Sequence, residues 1–141
     1  MKLLLSFVFY LISSLASFAS DAEIKKSWID DFGYENGVYG RYVHAGFVIN
    51  NCMGQNCRFI VYIKDANGNY LKDSSGYAIS FSSFFRPSSN SAKFHDYRIF
   101  CPLADMKINL SIPSKTYYFI IYILDGNGKF IGNSGSMKME Y

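Results

Sequence analysis

The chain is short of charge, histidine, proline and long apolar runs. Charged residues make up 18% of the 141 positions, and the formal net charge is only +3. Lys25–Lys26 is the one adjacent basic pair and no basic stripe accompanies it, so the electrostatic footprint of a nucleic-acid binder is missing. There are two histidines, His44 and His95, and no Gly-x-Ser-x-Gly elbow, which leaves little for nucleophilic or acid–base chemistry. The three cysteines, Cys52, Cys57 and Cys101, are too few and too scattered to form a tight four-ligand metal set with nearby histidines. No stretch shows helical periodicity long enough for a βαβ unit, which argues against a parallel α/β fold. Disorder is excluded from the other side: half of the residues are hydrophobic and 18% are aromatic.

The one apolar run lies at the start. Lys2 precedes LLLSFVFYLI, and the small-residue stretch SSLASFAS comes next. This is the layout of a secretory signal peptide, with Ser17 and Ala19 at the −3 and −1 positions and cleavage after Ala19. An apolar core of about 10 residues is half of what a spanning helix needs. The expected organisation is a signal peptide over 1–19 and one domain over 20–141, secreted or periplasmic, with no membrane segment left after cleavage. Export makes disulfides permissible. Cys52 and Cys57 bracket MGQN between two strand-like runs, so a bridge between them is expected, worth about 2 kcal/mol. Cys101, in YRIFCP, reads as a buried free thiol. Asn109–Leu110–Ser111 is a glycosylation sequon, relevant only in a eukaryotic source.

Strand signals fill the rest. RYVHAGFVIN (41–50) puts Val43, Ala45, Phe47 and Ile49 on one face. RFIVYIKD (58–65), YAISFSSFF (77–85), FHDYRIFC (94–101), KINLSI (107–112), TYYFIIYILD (116–125) and SMKMEY (136–141) are further strands, with EIKKSWID (23–30) leaning the same way. Short returns over 70–72 and 129–132 come after two Asn-Gly turns. YENG, NNCMGQN, DSSG, RPSSNS and IPSK punctuate the remainder at spacings of about 10 residues. Many short strands with regular turns predict an all-β, two-sheet, immunoglobulin-like sandwich of about eight strands.

Two stretches nearly repeat. FIVYIKDANGNYLKDSSG (59–76) and FIIYILDGNGKFIGNSGS (119–136) share eight of eighteen positions. Each is a strand, an Asp-x-Asn-Gly turn and a return strand. Asn67–Gly68 and Asn127–Gly128 suit the positive φ of tight hairpins, and Asp65 and Asp125 suit the turn amides. A calcium loop would need Gly at its sixth position and Glu at its twelfth. Both copies have Gly at the fourth, and the twelfth is Gly76 or Ser136, so one hairpin architecture used twice is expected instead.

The repeat also carries the functional hint. Phe59, Val61 and Ile63 share one strand face, and Ile60 and Tyr62 the other. Phe119, Ile121 and Ile123 likewise oppose Tyr118, Ile120, Tyr122 and Leu124. With the first set in the core, Tyr62, Tyr118 and Tyr122, supported by Ile60 and Ile120, would form an apolar outer stripe suited to a protein partner or to self-association. The alternative is that SWIDDFGY (27–34) covers it. A carbohydrate-binding module using exposed aromatic rings is the second function class. His44 is expected to bond a neighbouring loop, and His95–Asp96 cannot form a dyad because strand neighbours face opposite ways. Asp30–Asp31, Asp65, Asp73, Asp105 and Asp125 fall mostly in turns. No catalytic residue, metal or cofactor is expected.

Taken in order, Trp28, YENG (34–37), Gly-x-x-Val-His (40–44) leading into AGFVINNCMGQNC, Asp-x-x-Gly-x-x-Leu-Lys-Asp (65–73), Phe85, Pro87, DYRIFCPL (96–103) and a late Asp-x-x-Gly with Ser134 form a pattern. The chain thereby resembles a family of exported bacterial β-sandwich domains, over about residues 24–141. It departs from that pattern after Trp28, where a His-Asn pair is usual, and at Cys101, where an aliphatic residue is usual. The resemblance implies the sandwich and export, and no activity.

Overall fold

The computed structural model of the chain describes residues 19–108 and 116–139. The signal peptide expected over 1–19 lies outside them up to residue 18, as do the sequon and most of the strand expected over 107–112. Among the described residues there are nine strands and one helical turn, in the order β1 (Asp21–Ile29), β2 (Gly33–Glu35), β3 (Val38–Asn50), β4 (Cys57–Asp65), β5 (Ser80–Phe85), β6 (Ser91–Pro102), α1 (Leu103–Met106), β7 (Tyr117–Leu124), β8 (Phe130–Asn133) and β9 (Met137–Lys138). They form two antiparallel sheets. In the first, β3 is central, with β6 along one edge and β1 and β2 sharing the other. In the second, the order is β5-β4-β7, with β8 and β9 both on the far side of β7. The expected two-sheet sandwich is what the chain forms. The helical turn has no counterpart in the sequence pattern; it ends at Lys107 in the left-handed region, φ 56°.

The alternation in the sequence sets the core. Val43, Ala45, Phe47 and Ile49 of β3 meet Phe59, Val61 and Ile63 of β4 and Phe119, Ile121 and Ile123 of β7, all buried. Burying one such side chain fully is worth about 1.5–3 kcal/mol, so these positions alone outweigh any surface pairing. At one edge the sheets come into backbone contact. A Cβ on Gly132 of β8 would lie 2.6 Å from the carbonyl oxygen of Ala22 in β1, so glycine is required for that approach. Beside it, Ser134 stands in for a missing strand residue: its Oγ accepts from the Ile121 amide at 2.9 Å, and its own amide donates to the Ile121 carbonyl.

Cys52 and Cys57 do come to the same place, but as free thiols, and the expected bridge is not formed in this structure. The loop between them is tied by its own backbone, with Gln55 N–H donating to Cys52 O at 3.0 Å, and both thiols are buried. Burial first, and the neighbouring Cys52 second, push the Cys57 thiol up to about 12. Cys101 is a buried free thiol as expected, also pushed up to about 12 by burial.

Candidate functional site

Three turns of one design build the outer face of the five-stranded sheet. In each, an aspartate Oδ1 accepts from the backbone amides two and four residues ahead. Asp65 takes Asn67 and Asn69 at 2.9 and 3.0 Å, Asp125 takes Asn127 and Lys129 at the same distances, and so does Asp73 with Ser75 and Tyr77. The glycine three residues after each aspartate has φ between 79° and 85°, where a side chain would be strained. The two-copy repeat is therefore three turns, the third hidden in DSSG. One oxygen of each carboxylate is occupied by turn amides, which is the architectural role expected for them.

Each turn also dictates a pairing between its two arms. The residue before the aspartate pairs with the residue five after it: Lys64 with Tyr70, Lys72 with Ala78, and Leu124 with Phe130. Both lie on the face of the residue three before the aspartate, which is Tyr62, Tyr70 and Tyr122 in turn. All five of these turn-related residues, Tyr62, Tyr70, Ala78, Tyr122 and Phe130, line one open depression of about 480 Å³. Equivalent rings meet in equivalent ways. Tyr62 and Tyr70 lie 5.2 Å apart at 60°, and Tyr122 and Phe130 lie 5.0 Å apart at 69°. Tyr62 and Tyr122 join the two copies at 5.8 Å and 75°. These are edge-to-face pairs, which stand as walls rather than as a flat platform. The Tyr70 and Tyr122 hydroxyls are 3.0 Å apart. That bond, with partial burial second, raises the Tyr122 phenol above its ordinary range.

Of the five expected contact residues, the structure brings Tyr62 and Tyr122 together on the depression. Ile60 and Ile120 are not contacts: they are only 2% and 7% exposed. The register puts Tyr122 opposite Ile60 and Tyr62 opposite Ile120, so the rings shelter the isoleucines on the outer face itself. Tyr118 lies apart, lining a smaller hollow with Lys64, Asp65 and Ser136. The segment 27–34 does not cover the stripe, since β1 pairs in the other sheet. Tyr70 and Phe130, 37% and 56% exposed, escape a reading of strand alternation. Their signal is present all the same: each stands five residues after the repeated aspartate.

On the outer face of the first sheet, His44 is buried between two carboxylates. Its Nδ1 lies 2.6 Å from Asp96 Oδ1 and its Nε2 2.8 Å from Asp30 Oδ2, both half-exposed. Its ring stacks on Trp28 at 4.7 Å and 11°. The protonated imidazole satisfies both carboxylates at once, and the neutral ring donates to one. The cluster ties the end of β1 to β6 across β3, so the expected loop partner is Asp30, joined by Asp96. No nucleophile belongs to it. His44→Ala is expected to cost about 2–3 kcal/mol, from the lost packing and bonds, since the two carboxylates can rehydrate. Urea unfolding checks this, and a loss below about 0.5 kcal/mol would show that the cluster holds nothing together.

The chain matches no protein-family model and no curated protein. Among solved structures it is similar to the DNA-binding domain of Cep-1 from C. elegans, the ortholog of human p53. The two are 14% identical over 82% of this chain and 86% of that one, with a TM-score of 0.34. It is also similar to a Northeast Structural Genomics Consortium target, 11% identical over 87% of this chain and 86% of that one, with a TM-score of 0.29. At such distance neither likeness bears on what this chain binds.

Proposed function

We propose that this chain is an exported, non-enzymatic binding module that receives an apolar side chain of a partner protein in the depression on its five-stranded sheet. One observation carries the proposal. Two of the three turns place an aromatic ring five residues after the aspartate, and the third places Ala78 there, next to the rings. The space a third ring would fill is left open. Aromatic walls around an open apolar notch are the usual setting of an interface anchor, which is desolvated once the partner is bound. The sugar alternative fits less well. Its platform needs coplanar exposed rings, and these stand at 60–75° to one another.

The test is affinity capture from the envelope and secreted fractions of the source organism, with the native chain beside a Tyr70→Ala/Phe130→Ala variant. Both residues are exposed, so the variant should fold. The supporting result is a protein that, once purified, binds the native chain saturably and the variant at least about a hundredfold more weakly, as expected for two anchor residues. A polysaccharide retained in its place would move the sugar reading to the front, and equal binding by chain and variant would sink the proposed face. Sedimentation of the native chain alone identifies the case in which the partner is a second copy.

A further inference from the structure

Gly46 sits in the middle of β3, opposite an irregularity in each neighbouring strand. Along β1 the pairing steps from Ile24↔Phe47 to Lys26↔Gly46, so Lys25 is extra. Along β6 it steps from Phe94↔Phe47 to Tyr97↔Ala45, so His95 and Asp96 both stand against Gly46. Such bulges bend a strand and re-aim its side chains, and they recur beside functional sites. Here two of them flank a residue with no side chain. The result is a cleft of about 290 Å³ on the outer face of the four-stranded sheet, lined by Lys25, Lys26, Val48, Lys93, Phe94 and His95 around the glycine. A Cβ on Gly46 would lie 3.0 Å from the His95 carbonyl oxygen and 3.1 Å from Lys26 Cε, so a side chain there would close it.

Around this cleft the carboxylates have partners and two of the lysines have no carboxylate partner among the described residues. Asp96, the carboxylate that the bulge brings nearest, is already bonded to His44. Glu23 is taken by Lys25 at 2.9 Å. Lys26 lies over the Trp28 ring, 4.9 Å from its centroid, which holds the ammonium at the rim. Among the described residues, neither Lys26 nor Lys93 is paired with a carboxylate. Val48, Phe94 and the lysine stems supply hydrocarbon below the charges.

We propose that the Gly46 cleft binds a small organic phosphate, with a short apolar body in the cleft and the phosphate at its lysine rim. A doubly charged head answers two unpaired ammonium groups, and the cleft is at the lower end of the size range of small-molecule sites. The site lies on the opposite sheet from the aromatic depression and stands or falls independently of it.

The test is an NMR titration of the full chain with hexyl phosphate, and with inorganic phosphate and hexanol as its two halves. The expected result is saturable movement of the Lys26, Gly46 and His95 amides, with hexyl phosphate at least about tenfold tighter than either half. Lys26→Ala and Lys93→Ala should each weaken binding about tenfold, the worth of one charged hydrogen bond, and Lys129→Ala in the distant turn should not. All three lysines are exposed, so the variants should fold. The proposal is overturned if the shifts do not saturate or lie away from Gly46, if hexanol binds as well as hexyl phosphate, or if the Lys26 and Lys93 variants bind like the native chain.

Discussion

Replacing Phe47 with alanine should lower the unfolding free energy by about 4 kcal/mol, the middle of the range for deleting a buried aromatic ring. Phe47 is 2% exposed and touches rings from both sheets: Phe94 at 4.8 Å, Phe85 at 5.6 Å, Tyr97 at 5.9 Å and Phe59 at 6.2 Å. These partners come from β4, β5 and β6, so no single strand can move in to fill the gap. Domains of this size have about 5–15 kcal/mol in total, so the variant should be marginal. Phe47→Leu keeps most of the volume and should cost only about 1–1.5 kcal/mol. Guanidinium unfolding with an unchanged slope measures both. A cost below about 1.5 kcal/mol for the alanine variant would mean that the ring cluster does not hold the sheets together.

The burial of Phe47 is legible in the sequence, and the reason is local. Strict alternation over 41–50 leaves one face for the core, and a slip by one residue would expose all of it. The same logic places Phe59, Val61 and Ile63, and Phe119, Ile121 and Ile123. It fails on the opposite face of those strands. Period 2 says that Ile60 and Ile120 share a face with Tyr62 and Tyr122, but it does not say that the rings of the neighbouring strand lie over them. That depends on register, which is set by which strands pair. Tyr70 and Phe130 escape for a related reason. The return strands after the turns are short, and Tyr70 and Ala78 pair through single bridges rather than through a ladder. Strand patterning has no grip on such pieces, whereas the spacing from the turn aspartate does.

The Gly46 cleft lies beyond sequence reasoning because it depends on bulges, and the His44 cluster because it depends on which strands pair. In regular strands, His95 and Asp96 face opposite ways, and only one of them can be on the side of His44. That one is Asp96: it lies two residues before Arg98, the partner of His44, and so shares the His44 face by plain alternation once β6 pairs with β3. A bulge leaves little mark in a single sequence beyond a glycine in a strand. Cys52 and Cys57 teach a different lesson. Their spacing correctly puts them together between two strands, but proximity makes a bridge available and does not form one. Both thiols are buried and free here.

Filling the gap at Ala78 should abolish partner binding without loss of fold. Ala78 is half-buried at the open side of the depression, and it corresponds by turn position to Tyr70 and Phe130. A phenylalanine there has two precedents of its own geometry in the same chain, since both equivalent rings stand edge-to-face against the ring of the tyrosine before their turn. Ala78→Phe should therefore pack against Tyr70 and gain about 0.5–1.5 kcal/mol from the new aromatic pair, offset in part by ordering the ring. The partner isolated by capture should lose at least about a hundredfold in affinity, because its anchor and the new ring compete for one space. Ala78→Leu, which fills less, should fall between. Melting temperature and binding must be read together. An Ala78→Phe chain that melts at or above the native temperature yet still binds the partner as the native chain does would remove the depression as the binding site. If Ala78→Phe melts lower, the Leu variant decides: native binding by a Leu variant of native stability would remove it as well.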